Sequence, residues 1–388
     1  MEYDGPVLEK MELYRKKSGG ELVGQLFDFE DKGGRHVALR PEMTPTLARM
    51  VAARERHYKK PVKWFSIAPF FRFERPQKGR LREFNQFNAD IFGEAGVGAE
   101  IELIALSIEI VRRLGFGPDA VRVRLSSRAL WSRFLAASDK SDELLPELLS
   151  VIDKLDFDQL SSIPEKTFER LNTLGVTADE LAAFASAPDL EGTDLQQVVD
   201  GLIAAGLGDY LEIDAKIVRG LAYYTGTVFE LFDASASMRA IAGGGRYDTL
   251  VGLLSDGAVE LPALGMAFGD VVLGNLIDET PAASALRDAA LRPVCDVFVV
   301  VADEARRNEA LALTTALRRA GLRINLPLAP AKVGKQFQAA EEQRAPLALV
   351  VGTEWPIVKI KTLASRAEQT ADASDLLALA ETLAKFIP

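Results

Sequence analysis

The spacing of hydrophobic positions changes along the chain, and each change marks an element. Apolar residues alternate with polar ones over 62–74 and again over 82–92, the period of two that a half-buried strand requires. A turn at Pro76 to Gly79 between them predicts a hairpin. The run IELIALSIEIVRRLG at 101–115 has helical spacing instead and is closed by Gly115 and Gly117. From 128 to 209, short helical patterns are separated by Pro146, Pro164, Gly175, Pro188 and Gly206, which predicts an α-helical insertion. Strand patterns return over 210–277, around the glycines 243 to 245, and a proline and alanine linker is expected near 280–293. The last part, 292–388, reads as strand 296–302, helix 304–320, strand 322–326, helix 331–343, strands 347–351 and 357–363, and helix 374–386. Such alternation implies a small sheet covered by helices. The fold class is α+β, with a core from 1–127 and 210–280, the helical insertion at 128–209 and an α/β domain at 292–388.

Two segments carry more chemistry than a folding sequence needs. In the hairpin, Phe71 and Phe73 fall on one face while Phe70, Arg72 and Glu74 fall on the other. On the return strand Phe87, Ala89 and Ile91 share a core face, and Phe84, Gln86, Asn88 and Asp90 share the opposite one. That second face, with a guanidinium, carboxylates, amides and exposed aromatic rings, can bind a planar ring, a phosphate and an ammonium together. An amphipathic hairpin with a solvated charged face is the plainer reading. The segment RGLAYYTGTVFE at 219–230 likewise sets Arg219, Tyr223 and Tyr224 in an apolar run.

The segment FFRFERPQKGRLREFNQFNADIFG at 70–93 resembles motif 2 of class II aminoacyl-tRNA synthetases, and ERPQKGRLREF resembles its histidyl version. RGLAYYTGTVFE is similar to the signature segment of the histidyl enzymes and their close paralogues, LRPEMTPTLARMVA at 39–52 to their amino-acid-binding loop, and AGGGRYDTL at 242–250 to their glycine-rich segment. The resemblance implies an antiparallel catalytic sheet with helices and an anticodon-binding-like terminal domain. The implied reaction joins histidine and ATP, with Mg2+, into histidyl-adenylate and passes the acyl group to tRNA-His. By the same resemblance Arg72 and Arg219 meet the α-phosphate and the substrate carboxylate. Arg72, Glu74, Arg80 and Phe84 bind ATP, with Phe84 stacked on adenine. Glu42, Thr44 and Gln86 hold the α-ammonium, and Asp90 and Tyr224, supported by Tyr223, read the imidazole. Arg246 and Tyr247 are weaker candidates.

The chain departs from that pattern in places. Asn85 and Ala222 stand where the family often has His and Asp. In PALGMAFGDVVLGNL at 262–276, the place of motif 3, Asp270 and Val271 are present and the arginine that grips the γ-phosphate is not. Pro6 matches the motif 1 proline, so the helix before it is expected to be missing and the implied homodimer to be weakened.

Composition narrows the alternatives. Cys295 is the only cysteine, which excludes an internal disulfide and a cysteine-ligated zinc. His36 and His57 are the only histidines and are expected on polar surface, so no metal site is expected. No apolar run approaches the ~20 residues of a membrane helix, and a cytoplasmic location is expected. The net charge of −10 is concentrated in 128–209, with six basic and sixteen acidic residues, whereas 292–388 holds thirteen basic and eleven acidic. RNA binding needs a local positive stripe rather than a positive total, and Arg75, Lys78, Arg80 and Arg82 supply one. Two non-catalytic readings stay open: a histidine-sensing regulatory subunit of ATP phosphoribosyltransferase, and a tRNA-sensing pseudo-synthetase.

Overall fold

A computed structural model describes residues 1–17, 23–75, 79–157, 159–218, 224–235 and 238–387. The chain forms two compact units, Met1–Leu286 and Arg287–Pro388.

The first unit begins with a small sheet in which β1 (Leu8–Lys10) and β2 (Asp28–Glu30) flank β3 (His36–Leu39). Its main element is a seven-stranded sheet of β4 (Val62–Phe71), β5 (Glu83–Phe92), β6 (Val121–Ser127), β7 (Leu211–Ile213), β8 (Thr227–Asp233), β9 (Ala242–Arg246) and β10 (Ala263–Gly269). The order is β4-β5-β10-β9-β8-β6-β7, antiparallel except for the parallel pair of β6 and β7. The expected hairpin is β4 and β5, paired from Val62 opposite Phe92 to Phe71 opposite Glu83. β4 stops short of residue 74 because the chain changes partner: the Phe73 amide donates to the carbonyl of Gln25 at 2.7 Å.

Period-two burial puts the core on one face of this sheet. Ala89 and Ile91, Leu264, Met266 and Phe268, Phe229 and Leu231, and Val121, Val123 and Leu125 all join one hydrophobic cluster. The helix Gly98–Arg113 covers them with Leu103, Ile104, Ile108 and Val111. It ends before Gly115, whose φ of +90° and close neighbour Leu286 leave no room for a side chain. Residues 128–204 form the expected series of short helices: Arg128–Ala137, Leu145–Ile152, Glu165–Leu174, Ala178–Ser186 and Asp194–Ala204. Thr177 and Glu180 close a capping box at the fourth. The buried Trp131 ties the first helix to the sheet side by donating from its indole to Ala215 O at 2.9 Å.

The expected linker at 280–293 is mostly the helix Pro281–Ala290. Proline at the first helical position and an alanine-rich run favour a helix over an open tether.

The second unit is a five-stranded sheet in the order β12-β11-β13-β14-β15, with β11 Val297–Val301, β12 Ile324–Asn325, β13 Leu347–Val351, β14 Ile357–Thr362 and β15 Glu368–Asp372. β12, β11 and β13 run parallel, and β14 and β15 add antiparallel. Helices Arg307–Arg319, Val333–Glu342 and Leu376–Ala384 accompany the sheet. β15 was not expected from the sequence.

Candidate active site

Directly opposed residues in an antiparallel sheet share a face. On the face away from the core, one row across the strands reads Trp64, Asp90, Gly265, Gly245 and Val228. The next reads Ser66, Asn88, Ala267, Gly243 and Glu230, and a third Ala68, Gln86 and Gly269. The middle of the sheet is therefore a floor of glycine and alanine, and β5 raises a polar wall beside it. Gly243 to Gly245 form a strand rather than a turn. A Cβ on Gly244 would lie 2.4 Å from Gly265 O on the core side, and one on Gly245 3.0 Å from the Tyr224 ring on the site side.

A cavity of about 700 Å³ opens above this floor, within the range of small-molecule sites. Arg72, Glu74, Arg80, Phe84, Gln86 and Tyr224, all expected site residues, line it together. At one end the Arg72 guanidinium lies over the Phe84 ring, 5.2 Å from its centroid, and donates from Nε to Pro41 O at 3.0 Å. Glu74 and Arg80 form an ion pair at 2.6 Å. Glu42 and Thr44 are not in the cavity wall. They belong to the loop and first turn of the helix Thr44–Ala53, and Arg72 reaches that loop through Pro41. Arg219 and Tyr223 lie outside the described residues.

Asp90 is almost fully buried on the same face, one row from the cavity wall. The Tyr247 hydroxyl donates to its Oδ1 at 2.5 Å. Gly265 is glycine because of this carboxylate: a Cβ there would be 2.1 Å from Asp90 Oδ1. Tyr3 closes this end beside Trp64, with ring centroids 5.7 Å apart. Burial, and after it the Asp90 carboxylate, raise the Tyr3 phenol above its ordinary pKa, so it stays a neutral hydroxyl. Tyr3 escaped the sequence reading because nothing in MEYDGP marks it, and Tyr247 was only a weak candidate. The plainer reading of the hairpin, with a solvated charged face, does not hold. Its second face is not solvated: Ser66, Asn88 and Asp90 are buried, and Phe70 is fully buried beside Met43, Ala68 and Phe84.

Arg246, the other weak candidate, is a clamp. Its guanidinium donates to both oxygens of Glu100 at 2.5 Å, to Glu94 O at 3.0 Å, to Gly96 O at 3.2 Å and to Asp248 Oδ1 at 3.1 Å. It locks the start of the helix Gly98–Arg113 to β9. Of the two histidines, His36 faces Asp28 at 2.6 Å on the surface, and His57 is exposed. Cys295 is buried.

The antiparallel sheet, its small-residue floor and the arginine and aromatic pair at the rim define a class II aminoacyl-tRNA synthetase fold. A family model described as histidyl-tRNA synthetase matches residues 4–269, and one described as an anticodon binding domain matches 296–383. The chain is similar to the histidine–tRNA ligase of Opitutus terrae, 44% identical over 95% of this chain and 87% of that protein. It is also similar to that of Leptospira biflexa, 35% identical over 97% and 88%. The chain belongs to the histidyl-tRNA synthetase family. Solved structures share the fold: histidyl-tRNA synthetase from Nostoc sp. has a TM-score of 0.71 at 22% identity, covering 99% of this chain and 91% of that one. The apo enzyme from S. aureus has 0.63 at 21%, covering 98% and 89%.

Proposed function

We propose that this chain is a histidine–tRNA ligase. Histidine and ATP react in the cavity to give histidyl-adenylate and pyrophosphate, and the 3′ terminal adenosine of tRNA-His then takes the acyl group. The observation that carries the reading is the layout of the floor: a guanidinium against an aromatic ring at one end, a buried carboxylate held by a tyrosine at the other, and glycine and alanine between them.

Each residue has a task in this reading. The amino-acid carboxylate attacks the α-phosphate, and pyrophosphate leaves. Both reactants are anionic, so Arg72 and Arg219 draw them together and stabilise the charge that grows on the phosphate. Adenine takes the place of the Arg72 guanidinium over Phe84, with Glu74 and Arg80 at the rim. Glu42, Thr44 and Gln86 receive the α-ammonium. Asp90 and Tyr224 bond the two imidazole nitrogens, and Tyr223 has a supporting role in this reading. A substrate without those nitrogens would leave buried polar groups unpaired, which is a strong basis for rejection. Mg2+ enters with ATP as part of the substrate.

The helical segment 128–209 lies near the acceptor stem in this proposal, and 292–388 contacts the anticodon side. A second copy of the chain is the proposed partner for exposed apolar residues of the first unit such as Leu8, Phe29 and Ile67. The place of work is the cytoplasm; among the described residues no helix is long and apolar enough to cross a membrane. No observation favours a regulatory subunit or a pseudo-synthetase, since the relatives named above are ligases.

Histidine-dependent exchange of labelled pyrophosphate into ATP tests the reading directly. Exchange should require histidine and fall by ~10²-fold in Arg219→Ala, the scale for losing a donor aimed at transition-state charge. A purified, folded chain without histidine-dependent exchange would refute it.

A further inference from the structure

The histidine end of the site has a residue on its β4 side to which the roles above give no task. Tyr3 runs beside that edge strand: its amide donates to Phe65 O at 3.0 Å, and Glu2 bridges Phe65 in parallel. Phe65 packs into the core cluster, whereas the Tyr3 ring lies on the other face, 5.7 Å from the Trp64 ring and against Met43, Ala68 and Phe70. Trp64 is held edge-on in turn by Tyr58, with ring centroids 4.9 Å apart. Within the hairpin Trp64 stands directly opposite Asp90, and Ser66 opposite Asn88. Tyr3 therefore closes the β4 end of the row that carries the buried carboxylate, and aromatic packing fixes where its ring sits.

That packing does not use the hydroxyl. Tyr3 Oη is buried without a hydrogen-bond partner, and so is Ser66 Oγ beside it. Buried hydroxyls nearly always have a partner, because leaving one without costs stability. If the ring alone mattered, phenylalanine would fold better at position 3. After burial, the Asp90 carboxylate acts on the phenol more strongly than any other group. Asp90 is gripped from its β10 side, where the Tyr247 hydroxyl, beside Gly265, donates to Oδ1 at 2.5 Å. A carboxylate has about four acceptor positions, so one tyrosine does not exhaust it.

We propose that Tyr3 is a positioning residue for histidine: as the imidazole N–H donates to Asp90, the Tyr3 hydroxyl donates to the same carboxylate from the β4 side, so that Tyr247 and Tyr3 fix its orientation between them. A carboxylate held at two points keeps its remaining lone pairs aimed at one place, which is the precision that reading a ring N–H requires. The assignment rests on the reading of Asp90 as the partner of the imidazole.

The test is Tyr3→Phe, which removes the hydroxyl and keeps the ring. Calorimetric titrations with histidine, histidinol and ATP are set beside the melting temperatures of the variant and the unaltered chain. The variant should melt at the same temperature or higher, because it loses a buried polar group that the fold does not use. Its Kd for histidine should rise by about tenfold, the scale of one hydrogen bond to a charged group, while its Kd for ATP stays within about twofold. Histidinol keeps the imidazole and the ammonium but has an alcohol in place of the carboxylate, so it should lose affinity by the same factor. Unchanged histidine affinity would overturn the assignment, and so would an undiminished affinity for histidinol, which would move the effect to the carboxylate end. A clearly lower melting temperature would also overturn it, by showing that the hydroxyl serves the fold. An unaltered chain that binds ATP but not histidine would instead sink the reading of the site itself, whereas equal histidine binding by both chains would sink the role of Tyr3 alone.

Discussion

Gly265→Ala should damage histidine recognition without touching a residue that binds histidine. The new Cβ would stand 2.1 Å from Asp90 Oδ1, 2.9 Å from Asp90 Cγ and 3.1 Å from the Tyr247 hydroxyl, where real contacts essentially never fall below 3.0 Å. The carboxylate oxygen must therefore retreat by nearly one ångström. It cannot do so by a small rotation, because the carboxyl carbon is crowded too and Tyr247 holds the same oxygen at 2.5 Å. A displacement of about 1 Å at a positioned group can lower a rate by ~10²-fold, and forcing a methyl into a packed site costs roughly 1–3 kcal/mol of stability. The assay is pyrophosphate exchange over a matrix of histidine and ATP concentrations. The loss should appear in KM for histidine and in kcat/KM, with KM for ATP nearly constant. Gly243→Ala is the control on the same floor, since its nearest neighbours would be 3.6 Å away, an ordinary contact. Wild-type KM for histidine in Gly265→Ala, at an unchanged melting temperature, would show that the floor yields without moving Asp90 and would refute the argument.

Arg246→Ala should leave Glu100 buried without its cation, lowering stability by about 3–5 kcal/mol; calorimetry should show the first unit's melting temperature falling by on the order of 10 °C. Replacing both Arg246 and Glu100 with methionine should restore much of it. In the second unit, burial acts to raise the Asp296 pKa, but the side chain and amide of Arg323 outweigh it and hold the carboxyl below its usual range. The stabilisation this provides is present above the unfolded carboxyl's pKa of ~3.9 and lost as pH falls through the lower folded value. Acid should therefore lower that unit's melting temperature more in the unaltered chain than in Asp296→Asn. Deleting residues 287–388 should spare histidine-dependent exchange and sharply reduce tRNA charging, measured as acylated tRNA-His; a parallel loss of both would contradict the separate role of the second unit.

The parts of the fold that were legible in the sequence are those whose burial is one-sided. β5 shows its alternation because Ala89 and Ile91 face the core while Gln86 and Asp90 lie on the opposite, cavity-side face, and the helix Gly98–Arg113 shows one apolar stripe. β15 gave no signal: EQTAD is polar except for Ala371, since an edge strand paired only with β14 buries little on either face. The helix Pro281–Ala290 was read as a linker because alanine and proline carry little hydrophobic contrast. In the site, spacing could place Arg72, Phe84, Gln86 and Asp90 on one face; the register puts the last three there, and the Arg72 guanidinium joins them over the Phe84 ring. It could not show that this face is largely buried, because a strand's alternation says which residues share a side and not what covers it. The contacts of Tyr247 with Asp90 and of Asn85 with Asp270 join residues 157 and 185 positions apart, which no local pattern encodes.

The glycine and alanine floor also sets which histories are open to this pocket. A side chain gained at Gly244, Gly245 or Gly265 meets backbone, ring or carboxylate at under or about 3 Å, so drift at these positions is closed in almost every direction. The wall is different, because β5 presents side chains that can be exchanged without moving the strand beneath. A lineage that reshaped this pocket for another amino acid or phosphate arrangement would record the change along its walls, leaving the floor as the older part of the site.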